Sequence, residues 1–264
     1  MRGFTIIESM LFLAISGALI VAMIAGTGAS INIQRYRDAV ETFKSLLQEQ
    51  YAELNSVRNE RDDSWSCNSQ AQTTQDTGEV RGQSQNCFLV GRYLAITGGD
   101  ITIHTVVGVE TGPSAIGNDI DRLRDNYRLD VSTVSQETRT MEWGTQIAWP
   151  RSIGGVVRGT PTTPRDLALL FVRSPDSGQI YTFSSDNAPV QPTPQVLRDM
   201  IVPGLAIPGQ SERTICIDSS GLFVTSDLSV YMARYATGPS SIETRSNDFI
   251  ESLDPTAQGS RTEC

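Results

Sequence analysis

The first thirty-odd residues form a nearly continuous apolar run. No side chain from Ser9 to Gln34 is ionisable, and the charge that precedes this run is the carboxylate of Glu8. Roughly 20 apolar residues in a helix are enough to cross about 30 Å of hydrocarbon. The pattern therefore predicts a membrane-crossing helix. A carboxylate in such a segment costs about 2.5–3.5 kcal/mol, so Glu8 is expected to have a partner.

Apolar positions then continue at helical spacing. They recur at spacings of three, four or seven residues, without an intervening glycine or proline, at Tyr36, Val40, Phe43, Leu47, Leu54 and Val57. This stripe predicts an amphipathic helix that docks on a globular domain. One helix from Phe4 to about Arg61 and two helices broken near Gly26 and Gly28 are both compatible with the sequence.

The pattern changes to short β-type runs after residue 87. The predicted strands are Phe88–Ile96, Ile101–Val109, Tyr127–Val134, Thr138–Trp149 and Ser229–Tyr235. Apolar runs flanking turn residues predict two hairpins, Leu167–Arg173 with Gln179–Phe183, and Arg213–Ile217 with Leu222–Thr225. The polar stretch between Cys67 and Cys87 predicts an exposed loop, and the proline-rich segments 150–164 and 189–208 predict irregular connections. The expected fold class is α+β, a long N-terminal helical spine packed on a β-rich head.

Arg2, Gly3, Phe4, Thr5 and Glu8, followed by the apolar run, resemble the class III signal of type IV pilins and pseudopilins. The resemblance implies that a prepilin peptidase cleaves after Gly3 and methylates the new amino group of Phe4. It also implies that Glu8 pairs with that amine in a neighbouring subunit, with Phe4, Thr5 and Glu8 as assembly residues. Opposite charges attract strongly in a medium of low dielectric constant. An ordinary signal anchor with Glu8 at the headgroup level is the alternative.

The resemblance divides the chain into a leader, 1–3, a hydrophobic transmembrane and assembly helix, 4–34, an amphipathic helix, 35–62, and an extracytoplasmic head, 63–264. It implies other pilin subunits, the prepilin peptidase and an inner-membrane assembly platform as partners. The late hairpin, with Cys216 in its first strand and Gly221 in its turn, resembles the C-terminal hairpin of the GspH/FimT group of minor pilins and pseudopilins.

Charge and cysteine content narrow the possible functions. The formal net charge of −9 disfavours bulk binding of nucleic acid, which prefers basic surfaces.

The cysteines are Cys67, Cys87, Cys216 and Cys264, all beyond the apolar run. Their spacing does not match a zinc or iron–sulfur motif. An even number outside a membrane favours disulfides. Of three possible pairings, the local one is favoured, Cys67–Cys87 and Cys216–Cys264.

Candidate catalytic and metal-binding residues are sparse. His104 is the only histidine and Lys44 the only lysine, and no G-x-S-x-G elbow occurs, so no enzymatic activity and no cofactor are expected. His104 is interpreted as a strand residue with its polar groups satisfied. Asn118, Asp119, Asp121 and Asp125 are interpreted as a solvated turn, with a calcium loop as the alternative. Trp65, Trp143 and Trp149 are expected to pack in the core or under loops.

Three functions compete on this evidence. The leading hypothesis is a non-enzymatic structural subunit, minor or specialised, of a type IV pilus or related pseudopilus, first in the cell membrane and then in an extracellular or cell-envelope filament. The second is a minor pilin whose head binds an extracellular ligand such as DNA or a surface. The third is a membrane-anchored ectodomain of another function.

Overall fold

The computed structural model describes residues 6–55, 65–75, 88–112, 117–150, 152–153, 156–157, 164–201, 213–222, 227–233, 236–246 and 264. Its helices are α1 (Ile6–Asn55), α2 (Asp119–Asp125) and α3 (Pro194–Met200), with 3-10 turns at Glu142–Gly144 and Pro239–Ser241. Its first strands are β1 (Trp65–Cys67), β2 (Thr73–Gln75), β3 (Phe88–Thr97), β4 (Asp100–Glu110), β5 (Tyr127–Thr140), β6 (Gln146–Ala148), β7 (Ser152–Ile153) and β8 (Val156–Val157). The later strands are β9 (Asp166–Arg173), β10 (Ile180–Ser185), β11 (Arg213–Asp218), β12 (Leu228–Met232) and β13 (Ile242–Ser246).

Helix α1 runs without a break through Gly26 and Gly28. The prediction of one long spine is therefore confirmed over the described residues, and the alternative of two helices broken at these glycines is wrong. Glycine in a helix interior costs only about 1 kcal/mol relative to alanine.

The larger sheet is antiparallel, with strand order β10-β9-β3-β4-β5. Strands β3 and β4 form a hairpin in which Thr97 pairs with Asp100. The two turn residues are Gly98 and Gly99, and Gly98 has a φ of +61°. A two-residue hairpin turn with positive φ favours glycine, which has no Cβ to clash with its own backbone.

Both faces of this sheet are covered. Leu94, Leu169 and Phe171 pack in one cluster with the C-terminal half of α1. Tyr93 and Leu170, their neighbours along the strands, belong to a second cluster that contains Leu123 of α2 and Leu197 of α3. Successive strand residues point to opposite faces, so a strand covered on both sides reads as a continuous apolar run. The run Leu167–Val172 in β9 has this character.

A second antiparallel sheet has strand order β13-β12-β11-β6. Its residues Ile147, Ile215, Val230 and Ile242 join the same cluster as α1 and one face of the larger sheet. Helix α1 therefore packs on both sheets and shares one hydrophobic core with them. The fold is α+β, as predicted.

Several local predictions were wrong. Thr138–Trp149 is not one strand, because residues 138–140 end β5, the chain turns at Glu142–Gly144, and only 146–148 form β6. The strand that pairs with β11 is β12, and Leu222 lies in the connection between them. The segments expected to be loops or irregular contain β2, the β7–β8 pair and α3. Strand β13 was not predicted.

Candidate membrane and assembly segment

The N-terminal half of α1 extends from the head with its apolar side chains exposed. Ile6 and Met23 are 76% and 74% exposed, and the first buried side chain of the helix is Tyr36. The exposed residues include the consecutive set Met10, Leu11, Phe12 and Leu13. Successive helical residues are about 100° apart, so this set covers the whole circumference of the helix. A helix that is apolar on all sides requires an apolar environment on all sides.

Polar groups within this segment are bonded to its own backbone. The hydroxyls of Ser9, Ser16 and Thr27 donate to the carbonyl oxygens of Ile6, Phe12 and Ile24 at 2.9, 2.8 and 3.0 Å. A hydroxyl bonded in this way exposes little unsatisfied polarity to hydrocarbon. The charged group of the segment is then the Glu8 carboxylate, in the first turn of α1.

The exposed segment is bounded by charge at both ends. Arg35 lies 27 positions beyond Glu8 and is exposed. At 1.5 Å per residue the two lie about 40 Å apart along the helix. A bilayer with its headgroup regions measures about 40–45 Å. Both charged residues would therefore reach the headgroup regions if the helix crossed a bilayer.

The C-terminal half of α1 is fixed to the head by two tyrosines. The hydroxyl of Tyr36 donates to the carbonyl of Ile217 in β11, at 2.7 Å. The ring of Tyr51 packs edge-on against Phe171 of β9, with ring centroids 5.0 Å apart, and its hydroxyl lies 2.7 Å from that of Thr182 in β10. Burial raises the pKa of Tyr51 to about 12. The two tyrosines attach one helix to both sheets.

Trp143 was predicted to pack in the core or under a loop, and it does neither. It is 51% exposed, in the turn between β5 and β6. The guanidinium carbon of Arg35 lies 4.6 Å from the centroid of its ring, a cation–π contact. Sequence periodicity missed this pair because 108 positions separate the two residues.

The residues predicted to direct processing and assembly are only partly described. Gly3, Phe4 and Thr5 lie outside the described residues, whereas Glu8 lies in α1. The Cys216–Cys264 disulfide is present, with a Cα–Cα distance of 5.3 Å, and both residues are buried beside Ala148. Cys67 is buried in β1, and its predicted partner Cys87 lies outside the described residues.

Asp119 is held by neighbouring hydroxyl groups rather than left in a solvated turn. Its carboxylate accepts hydrogen bonds from the hydroxyls of Ser174, of Ser177 at 2.5 Å and of Tyr181 at 2.9 Å. These bonds connect the start of α2 to the β9–β10 hairpin. The described residues contain no group of three or more His, Cys, Asp or Glu side chains placed to hold a metal ion.

His104 lies in β4 with its ring buried, and its Nε2 is 2.7 Å from the carbonyl oxygen of Val190. Burial lowers its pKa, although the bond to Val190 acts in the opposite direction. The interpretation of His104 as a satisfied strand residue is confirmed.

One charged cluster was not predicted from the sequence. Arg165 is 2% exposed, and its Nη2 lies 2.6 Å from Asp186 Oδ1, which Arg213 also contacts at 2.9 Å. The Arg165 guanidinium stacks 4.6 Å from the ring centroid of Trp149. The cluster connects the start of β9 and the end of β10 to the start of β11, so it links the two sheets.

No protein-family model, curated protein or solved structure matches this chain. Among the described residues, α1 is the one helix that is long and apolar enough to cross a membrane. The chain is thus consistent with a single-pass membrane protein whose helix continues into an α+β head.

Proposed function

We propose that this chain is a structural subunit of a type IV pilus or a related pseudopilus, and that it has no enzymatic activity. The N-terminal half of α1 would lie in the cell membrane before assembly and would pack with the helices of other pilin subunits in the filament. The head would lie outside the cytoplasm, in an extracellular or cell-envelope filament.

The observation that carries this proposal is the circumferential apolar surface from Ile6 to Ile31 on a helix that continues into the head. Soluble monomers rarely expose contiguous apolar patches larger than a few hundred Å². Lipid or a bundle of similar helices would cover such a surface on every side. The residues Gly3, Phe4 and Thr5, which precede Ile6 in the sequence, and Glu8 in the first turn of α1 support the proposal by their resemblance to a prepilin processing signal.

The proposal implies an order of events. The prepilin peptidase would remove Met1 to Gly3 and methylate Phe4, and the assembly platform would then extract the helix from the membrane. Glu8 would pair with the Phe4 amine of a neighbouring subunit. A charge pair formed in a low-dielectric environment would favour one axial register between subunits over others.

The proposal is tested by expressing the full chain with an active or an inactive prepilin peptidase. Mass spectrometry of the N-terminal peptide should show a methylated Phe4 terminus only with the active peptidase. In cells with the remaining assembly proteins, sheared surface fractions should then contain the mature chain. A chain that keeps Met1 to Gly3 and stays in the membrane would instead support an anchored ectodomain of another class.

A further inference from the structure

Trp143 occupies a strained and exposed position. Its φ and ψ are 57° and 22°, a left-handed conformation that a bulky side chain rarely adopts. The turn is held in place by Thr145, which is buried and whose N–H and hydroxyl both donate to the carbonyl of Glu142, at 3.1 and 2.8 Å. The left-handed backbone conformation of Trp143 costs free energy, and the indole at this position is exposed. Such outliers often mark functional positions.

The turn places Trp143 at the end of the head nearest the apolar segment. The hydroxyl of Thr42 lies 3.4 Å from a carboxylate oxygen of Glu142, whereas Trp143 contacts Arg35. Thr42 and Arg35 are seven residues apart, about 10 Å along α1. The indole therefore reaches toward the segment that would enter a membrane, at the position where the charged residues begin.

Trp143 is also unusual among the exposed residues of the head. In the described part of the head, the other large hydrophobic side chains that are exposed are Leu89 and Val190, at 37% and 46%. Trp143 is larger and more exposed than either, and it is the one that contacts α1 beside the apolar segment. In the described part of the head, the most exposed large apolar side chain thus lies where the head meets the apolar segment of α1.

We propose that Trp143 and Arg35 form an interfacial anchor that seats the head on the phospholipid surface from which α1 emerges. This inference rests on the proposed function, because it requires α1 to cross the membrane. Tryptophan favours the headgroup level, where its ring is partly in hydrocarbon and its N–H meets polar groups. The Arg35 guanidinium would hydrogen-bond to lipid phosphate groups. Glu8, about 40 Å away, would lie at the opposite surface.

The anchor would restrict the orientation of the head. A continuous helix fixes how far the head lies from the membrane but leaves rotation and tilt free. A second contact at Trp143 would remove part of that freedom, so that one side of the head faces the lipid. The energy of this contact would be lost when the subunit leaves the membrane for a filament.

The test uses the full chain with Trp65→Phe and Trp149→Phe, which leaves Trp143 as its fluorophore. The protein is reconstituted into phosphatidylcholine and phosphatidylglycerol vesicles that carry bromine near the headgroup or deep in the acyl chains. Shallow bromine should quench Trp143 at least about twofold more than deep bromine, as expected for an indole at the headgroup level. A variant that keeps only Trp149, which stacks on Arg165, should show little quenching by either lipid.

Arg35→Gln should reduce the shallow quenching of Trp143 by about twofold, because the charge attracted to the phosphates is lost. Arg198→Gln is the matched control. Arg198 is exposed and paired with Asp125, but it lies on α3, which packs on the sheet face opposite to α1. This variant should leave the quenching unchanged.

Extraction of the vesicles at alkaline pH separates this inference from the proposed function. If the chain is extracted, α1 does not span the membrane and both proposals fail. If the chain stays embedded while Trp143 is quenched by aqueous acrylamide and by neither brominated lipid, the anchor alone is overturned.

Discussion

Tyr36 and Ile217 are joined by a buried hydrogen bond of 2.7 Å, although they lie 181 positions apart. The same hydroxyl accepts from the N–H of Leu228 at 2.8 Å. The ladder between β11 and β12 ends at the pair Cys216 and Ser229, so the next residue beyond the ladder is Ile217 on β11 and Leu228 on β12. Beyond this point the two strands are no longer paired with each other. The Tyr36 hydroxyl bridges them instead, because it bonds both the Ile217 carbonyl and the Leu228 N–H. Burial holds the pKa of Tyr36 well above its usual range, which keeps the hydroxyl protonated.

Tyr36→Phe should destabilise the protein by about 1–3 kcal/mol, because it leaves a buried carbonyl and a neighbouring N–H without their partner. In a protein of this size, the melting temperature would fall by about 2–4 °C for each kcal/mol. Calorimetry of the full chain in detergent measures this change.

Tyr51→Phe is the matched control for that experiment. It removes a hydroxyl from the same helix face, but the short contact of that hydroxyl is with the hydroxyl of Thr182, which is itself only partly buried. Its cost should be about 0.5–1.5 kcal/mol, the value of an ordinary hydrogen bond. Equal losses in the two variants would contradict the bridging role assigned to Tyr36.

Cys264→Ser should lower the stability of the head by about 4 kcal/mol, the chain-entropy value for a loop of this length. The bond joins residues 48 positions apart and connects the last residue to β11. Non-reducing peptide mapping identifies the bond, and thermal melts with and without reductant measure its contribution. Free thiols at both Cys216 and Cys264 in the native protein would refute this account.

The long elements of the fold could be predicted because their patterns are strong and local. The stripe from Tyr36 to Leu54 and the apolar run Leu167–Val172 each predict an element whose burial the structure confirms. The short helices were missed for a different reason. Thr193 followed by Pro194 is an N-cap and first-turn signal. The high proline content of the surrounding segment obscured this signal.

The contacts that attach the head to α1 could not be predicted from the sequence. Tyr36 was correctly placed on the apolar stripe, yet nothing local indicates that its hydroxyl meets Ile217. The contact between Arg35 and Trp143 likewise depends on the left-handed backbone conformation of Trp143. A glycine or asparagine at position 143 would have indicated such a conformation, but a tryptophan does not. Contacts of this kind are decided by tertiary packing, whereas Glu8 could be proposed as an assembly residue because its charge lies beside a long apolar run.

Asp119→Asn should destabilise the protein at neutral pH and should have little effect at low pH. Burial alone would raise the pKa of Asp119, but hydrogen bonds from Ser174, Ser177 and Tyr181 and the charge of Arg122 outweigh burial and lower it. A carboxyl whose pKa is lower in the folded state stabilises the fold above its unfolded pKa, which is about 4. That contribution is lost as the pH falls through the folded pKa.

Urea unfolding of the wild type and of Asp119→Asn, from pH 7 down to pH 3, measures this effect. The difference in unfolding free energy between the two proteins should be constant above about pH 5 and should shrink below it. Asp199→Asn is a suitable control, since Asp199 lies exposed on α3 and accepts from Gln195 at 2.7 Å. A difference that does not change with pH would show that charge is not what Asp119 contributes.

Glu8→Ala should leave membrane insertion intact and reduce assembly. A charge near the headgroup level costs much less than one at the bilayer centre, so removing the Glu8 carboxylate should make insertion only slightly easier. If Glu8 pairs with the Phe4 amine of a neighbour, the same change leaves that amine without its counter-charge. A loss of only about 1.4 kcal/mol corresponds to a tenfold change in an equilibrium, so the yield of sheared filaments should fall tenfold or more.

Ser9→Ala is the matched control, because the Ser9 hydroxyl donates to Ile6 in its own helix. It should change neither readout. Equal membrane levels and normal filament yield for Glu8→Ala would refute the assembly role while leaving the membrane segment in place.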